Sequence, residues 1–180
     1  VAALAARVRD AEPRLGLVRL VAVDGPAGSG KTTLAGLLAE GARAAGLDAA
    51  TVHLDDLYEG WTGLDGVWER LDRWVLRPLA QGRPGRYRRY DWSSGAWAEW
   101  HDVPLPEVLV VEGCGAAQRA VDDHAVLRVW LEAGADARLA RGLARDGEGH
   151  REDWLSWMVA EEAHFAREHT RDRADVRYTT

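Results

Sequence analysis

A single cysteine, Cys114, stands in the 180 residues. One thiol excludes an intramolecular disulfide and any multi-cysteine zinc site. No apolar run approaches the roughly 20 residues needed to span a bilayer. The opening VAALAARVRD breaks at Arg7, with no basic segment ahead of an apolar core, and does not read as a signal peptide. The cytoplasm is the expected compartment. Internal repeats and low-complexity linkers are absent. Lysine is almost absent too: Lys31 is the only one among 23 basic side chains. A net charge of −6 argues against a nucleic-acid or polybasic membrane surface.

What is present is an ordinary globular composition, 47% hydrophobic and 29% charged. The length fits one domain that buries about 70% of its unfolded surface. Helical spacing is found in Val1–Glu12, Thr32–Ala45, Val67–Ala80, Gly115–Asp123, Ala135–Arg145 and Glu152–His169. Apolar runs at Leu17–Val23 and Val108–Val111 read as buried strands, and Ala49–Leu54, Ala125–Leu131 and, at the end, Ala174–Arg177 read as further strands. This alternation predicts an α/β fold with a central parallel sheet covered by helices on both faces. Arg86–Trp92 and Trp97–His101 flank Ser93-Ser94-Gly95 and predict a β-hairpin inserted at about residues 84–103.

Gly25-Pro26-Ala27-Gly28-Ser29-Gly30-Lys31-Thr32 matches G-x-x-x-x-G-K-[ST] between a predicted strand and a predicted helix. In that context the glycines turn backbone N–H groups toward phosphate oxygens, and the helix N-terminus adds partial positive charge. The expected nucleotide contacts are Gly25, Ala27, Gly28, Ser29, Gly30, Lys31, Thr32 and Thr33. Lys31 suits the β- and γ-phosphates and Thr32 a Mg²⁺ ion. The only lysine of the chain falls where a compact ammonium is needed. A guanine-reading Asn-Lys-x-Asp would need a second lysine and is excluded. A lone domain of this size favours a small-molecule kinase over a motor or transport ATPase.

Ligands of a parallel sheet gather at the carboxyl ends of its strands. Two places put carboxylates there: Asp55 with Asp56 after the strand ending at Leu54, and Glu112 after Val108–Val111. Glu112 stands where a Mg²⁺-holding acid belongs. Strand alternation implies that only one of Asp55 and Asp56 faces the transferred phosphoryl group. Such a carboxylate orients an acceptor hydroxyl and takes its proton.

The order GPAGSGKT, HLDDLY, RYRRYDW, VLVVEG, ARLARGLARD, RADV resembles the uridine kinase-like branch of P-loop kinases, from about Leu17 to Val176. The resemblance implies a P-loop fold, ATP with Mg²⁺ as cofactors, Asp55 as catalytic aspartate, and Glu112 as the Val-Glu-Gly acid. It implies Tyr58, Tyr90 and Asp91 near the acceptor, and Arg138, Arg141 and Arg145 as lid arginines. Where nucleoside-phosphorylating members carry a His and an Arg after the Tyr-Asp-aromatic step, this chain has Ser93, Ser94, Gly95, Ala96 and Trp97. The likeness therefore stops short of a uridine or cytidine acceptor.

Arg138, Arg141 and Arg145, spaced i, i+3, i+7, share one helix face. With Gly147-Glu148-Gly149 behind them they suit a lid at about 142–152 that closes over phosphates, with Arg141 catalytic. Trp97 and Trp100 read as hairpin packing, Trp92 as either packing or a stacking surface, and Trp154 and Trp157 as helix core. The histidines form no motif. The expected activity is phosphoryl transfer from ATP to a hydroxyl of a small metabolite, nucleoside-like or vitamin-like. The alternatives are a nucleoside monophosphate kinase and a nucleotide-binding switch or assembly ATPase. The only partner expected is the small-molecule acceptor, and oligomeric state is left open.

Overall fold

The computed structural model describes residues 1–180. In chain order it contains α1 (Ala2–Asp10), β1 (Arg19–Asp24), α2 (Lys31–Ala44), β2 (Ala49–His53), α3 (Val67–Leu71), α4 (Arg77–Ala80), β3 (Gly85–Asp91), β4 (Ala96–Val103), β5 (Val108–Glu112), β6 (Ala125–Glu132), α5 (Ala135–Asp146), α6 (Arg151–Glu168), α7 (Thr170–Arg173) and β7 (Val176–Thr179). Five strands form one parallel sheet in the order β2-β5-β1-β6-β7, and β3 and β4 form a separate antiparallel pair. The parallel sheet, its covering helices and the hairpin agree with the sequence expectation.

The apolar strands are buried because helices cover both faces. Leu20 and Ala22 of β1 join a core with Leu109 and Val111 of β5, Leu71 and Leu79 of the α3–α4 segment, and Trp157 of α6. Val21 and Val23 point the other way and pack with Val108, Val110, Leu127 and Val129 against Ala35, Leu38 and Ala42 of α2. Between α3 and α4 the helix widens into a π turn at Asp72–Leu76. Pro78 has no N–H and its ring crowds the Trp74 carbonyl, so the irregularity lies immediately upstream of it.

One expected helix is absent. Gly115–Asp123 forms turns and a single 3₁₀ turn, Arg119–Val121. The cause is Asp24, the last residue of β1, whose carboxylate is completely buried. It accepts the N–H groups of Gly25 at 2.7 Å, Gly115 at 3.0 Å and Ala117 at 2.8 Å. Donors pinned there are withdrawn from a helix ladder. Gly113 and Gly115, at φ +138° and +90°, let the chain wrap around the carboxylate.

Burial raises Asp24 to about 6, against the pull of its N–H donors and of Lys31. Between the ordinary value of 3.8 and about 6 the folded chain keeps a proton that the unfolded chain has released. The resulting stability is complete below about pH 4 and is lost as pH rises through about 6. Asp24→Asn removes that dependence. In urea denaturation, the stability of wild type minus variant should fall by on the order of 3 kcal/mol from about pH 4 to about pH 7. A difference that stays flat or rises would mean that Asp24 is charged in the fold throughout that range.

Candidate active site

The chain leaves β1 at Asp24 and turns through Gly25–Gly30 into α2. Gly30 adopts a left-handed conformation at φ +92°, with open space where a Cβ would point. A Cβ on Gly28 would come 2.8 Å from the Arg138 carbonyl oxygen, so α5 lies directly against this loop. Lys31 opens α2, largely buried, and its Nζ donates to the Pro26 carbonyl at 2.9 Å. Burial works against its charge, but the acidic groups around it, Glu112, Asp55 and Asp24 among them, hold the amine above its ordinary value. The Ser29 hydroxyl is buried without a partner. Of the expected nucleotide contacts, three have their N–H groups committed within the protein: Gly25 to Asp24 at 2.7 Å, Ala27 to Glu161 Oε2 at 2.8 Å and Ser29 to the Pro26 carbonyl at 3.2 Å.

Register brings the acids to this loop. Val23, Glu112 and His53 pair across β1, β5 and β2 and so share the α2 side of the sheet. Glu112, nearly buried, takes a hydrogen bond from Thr32 Oγ1 at 3.1 Å on its Oε1, and His53 Nδ1 lies 2.7 Å from the same oxygen. Hydrogen bonding to Glu112 holds His53 above its ordinary pKa. Sequence reading assigned this histidine nothing, because its partner is 59 residues away.

Asp55 and Asp56 lie on a 3₁₀ turn, Leu54–Asp56, and not on the strand, which ends at His53. Strand alternation therefore does not apply to them, and both line the cleft. Their surroundings separate them. Asp56 accepts the Tyr87 hydroxyl at 3.0 Å. Crowding by the cleft walls and the charge of Glu112 raise Asp55, while Lys31 and Arg145 lower it. Lys31 of the phosphate loop is thus among the charges that act on Asp55.

Beyond Asp55 the cleft is aromatic. Trp92 Nε1 donates to the Asp55 carbonyl at 2.9 Å. Trp61 stands 5.3 Å from Trp92, 5.9 Å from Trp154 and from His150, and 6.3 Å from Trp157, measured between ring centroids. Tyr90 lines the same space. Trp154 and Trp157 are core as expected and also form cleft wall. Trp61, on the loop after β2, escaped sequence reading, although a tryptophan in a Gly-rich loop at a strand's carboxyl end is a usable signal. Trp97 and Trp100 instead pack on Trp74, each at 5.6 Å.

Three expected contacts sit differently from their reading. Asp91 turns away from the cleft and caps the hairpin, accepting the Ser93 N–H and the Ser94 hydroxyl. An Asp ahead of Ser-Ser-Gly is the ordinary signal for such a turn. Tyr58 lines the cleft with its ring only, because its hydroxyl donates to the Cys114 carbonyl at 2.9 Å. Arg138 is buried and pairs with Glu161 at 2.6 Å, out of reach of the cleft. Arg141, which donates to the Gly28 carbonyl at 3.0 Å, and Arg145 do line it.

The cleft so formed has a volume of about 700 Å³. It takes in Gly28, Gly30, Lys31, Thr32 and Thr33 at one end and the aromatic rings at the other. An open glycine turn with an orphaned buried hydroxyl at a helix N-terminus fits a phosphate chain. The Thr32–Glu112 oxygen pair fits Mg²⁺, which takes one or two protein oxygens and completes its shell with phosphate and water. No group of three or more His, Cys, Asp or Glu that could hold a metal by itself is present.

The family model described as PRK, Phosphoribulokinase / Uridine kinase family, matches residues 68–156. No curated protein matches the chain in sequence. Among solved structures, one described as a possible uridine kinase from Bacillus stearothermophilus superposes with a TM-score of 0.70 at 20% identity, covering 97% of this chain and 95% of that one. A candidate fructose transport system kinase from a Silicibacter species gives 0.74 at 21% identity, covering 98% of each. D-glycerate 3-kinase from Cryptococcus neoformans gives 0.58 at 15% identity, covering 99% of this chain and 91% of that one. The phosphate loop precedes the matched stretch and stands on its own motif. The chain therefore has the fold of the uridine kinase-like P-loop kinases, and from α3 into α6 it matches the Phosphoribulokinase / Uridine kinase family.

Proposed function

We propose that this chain is an ATP-dependent, Mg²⁺-requiring kinase that phosphorylates a hydroxyl of a small ring-bearing metabolite, nucleoside-like or vitamin-like. The observation that carries the reading is the position of Asp55 between the two ends of one cleft. Its carboxylate is within electrostatic reach of Lys31, Glu112 and Arg145, and its carbonyl holds Trp92 of the aromatic end. Bound ATP supplies the electrophilic γ-phosphoryl group and Mg²⁺ offsets its charge. The P-loop amides and Lys31 grip the phosphates, and Thr32 and Glu112 hold the metal. Asp55 orients the acceptor hydroxyl and accepts its proton as the new O–P bond forms and the bond from the γ-phosphorus to the bridging oxygen breaks, leaving ADP, a task suited by its raised pKa. Arg141 and Arg145 counter the charge that shifts during transfer, and the segment at about 142–152 acts as the lid.

The aromatic walls support an acceptor with a planar ring or an apolar sugar face. A monophosphate acceptor would call for free cations at that end. The arginines nearest the rings are already paired, Arg89 with Glu99 at 2.7 Å and Arg145, which lies over Trp154, with Asp146 at 2.7 Å.

Lys31→Ala should abolish transfer while leaving the thermal midpoint near wild type. Asp55→Asn should lower kcat by roughly 100-fold or more with little change in ATP affinity, and Asp56→Asn should cost less. Label transfer from γ-labelled ATP to a metabolite panel measures all three variants. The reverse order would move the base to Asp56, and hydrolysis without any acceptor would favour the switch reading.

An ATP analogue with Mg²⁺ should slow amide exchange across Ala144–Arg151. Arg141→Ala should blunt that protection, because its guanidinium faces the cleft. Unchanged protection on adding nucleotide would remove the lid from the mechanism.

A further inference from the structure

His53 is the last residue of β2, and its imidazole is 41% exposed. It contributes little to either core, and the structure gives its side chain one hydrogen-bonding partner, Glu112 Oε1 at 2.7 Å. An ionised carboxylate only accepts, so Nδ1 carries the proton and donates it. Oε1 also accepts from Thr32 Oγ1 at 3.1 Å. Both protein donors thus converge on one oxygen, and Oε2 receives none.

The pairing is built into the sheet. His53 and Glu112 are register partners in adjacent parallel strands, so their side chains leave the sheet on the same side at its carboxyl end. Thr32, in the first turn of α2, approaches from the helix covering that side. A glutamate carboxylate can otherwise rotate about its last bond and exchange its two oxygens. Two donors on Oε1 stop that rotation and present Oε2 as the oxygen left for the metal or its water.

We propose that His53 is a positioning residue for the metal site, fixing the Glu112 carboxylate so that one oxygen is committed to the protein and the other is free for Mg²⁺. The proposal rests on the reading of Glu112 as a metal-holding acid. It adds a residue that the phosphate loop and the acid together do not specify. Partners of metal ligands that act in this way affect metal affinity by about 10–100-fold. The imidazole itself does not line the cleft.

The test compares His53→Ala and His53→Asn with wild type. Binding of a nonhydrolysable ATP analogue is measured by calorimetry without Mg²⁺ and over a Mg²⁺ titration, and thermal midpoints are recorded alongside. His53→Ala should raise the Mg²⁺ concentration that half-saturates the tight complex by roughly 10-fold or more. Metal-free nucleotide affinity and the thermal midpoint should stay near wild type. His53→Asn, whose amide can still donate to Oε1, should recover most of the loss. Wild-type Mg²⁺ dependence in His53→Ala overturns the proposal, as does equal impairment of both variants or a matching loss of metal-free binding. Because binding is read without an acceptor, a wild-type chain that shows this dependence yet phosphorylates nothing would sink the kinase reading and leave the role of His53 standing.

Discussion

A carboxylate on α6 holds the phosphate loop to the rest of the molecule. Glu161 is 1% exposed and reaches four groups from four parts of the chain. It accepts the Ala27 N–H in the loop and the Trp157 indole N–H on its own helix, takes a weak thiol bond from Cys114 after β5, and pairs with Arg138 on α5. A buried ion pair of this kind adds little net stability over an apolar substitute. Its strength lies in the cost of breaking it, on the order of 3–5 kcal/mol when one partner is removed. The loop, α5 and α6 therefore hold one relative placement. Arg138 is consumed in setting it, and Arg141 and Arg145, one and two turns further along α5, inherit the side that faces the cleft.

The strand ends divide the remaining work by face. Asp24 sends its carboxylate to one side of the sheet, where three backbone N–H groups draw the chain after β5 into a loop. Glu112, in register with Val23 on the neighbouring strand, sends its carboxylate to the other, toward Thr32. Two acids one strand apart in the sheet thus serve different ends. One organises backbone in the dry interior, and the other faces the cleft, where a cation can be held.

Local signals in the sequence carried most of this. The phosphate loop, the sheet, the hairpin and the Thr32–Glu112 pairing follow from motif, apolar runs and position at strand ends. Three of the failures are cases where a distant partner decides. Arg138 fits the helical stripe of Arg141 and Arg145, and only the approach of α6 diverts it to Glu161. Gly115–Asp123 has helical spacing, but Asp24, some 91 residues earlier, captures its N–H groups. His53 lacks a motif because its partner lies across a strand pairing. Asp91 differs from these, since its turn signal was local and lost to a family pattern laid over it. Trp61 likewise had only a local signal, a tryptophan in a Gly-rich loop at a strand's carboxyl end, and no motif to mark it as cleft wall.

The near-absence of lysine gives the molecule an uneven titration. Guanidinium groups keep their charge throughout the accessible pH range, so 22 of the 23 basic side chains never lose it. The one exception is the amine at the mouth of α2, and its acidic neighbours push the loss of its proton further to the alkaline side. Amine-directed acylating reagents likewise find their single lysine target there. Acylation of that side chain therefore requires the loop to yield, because Lys31 is largely buried and donates to the Pro26 carbonyl.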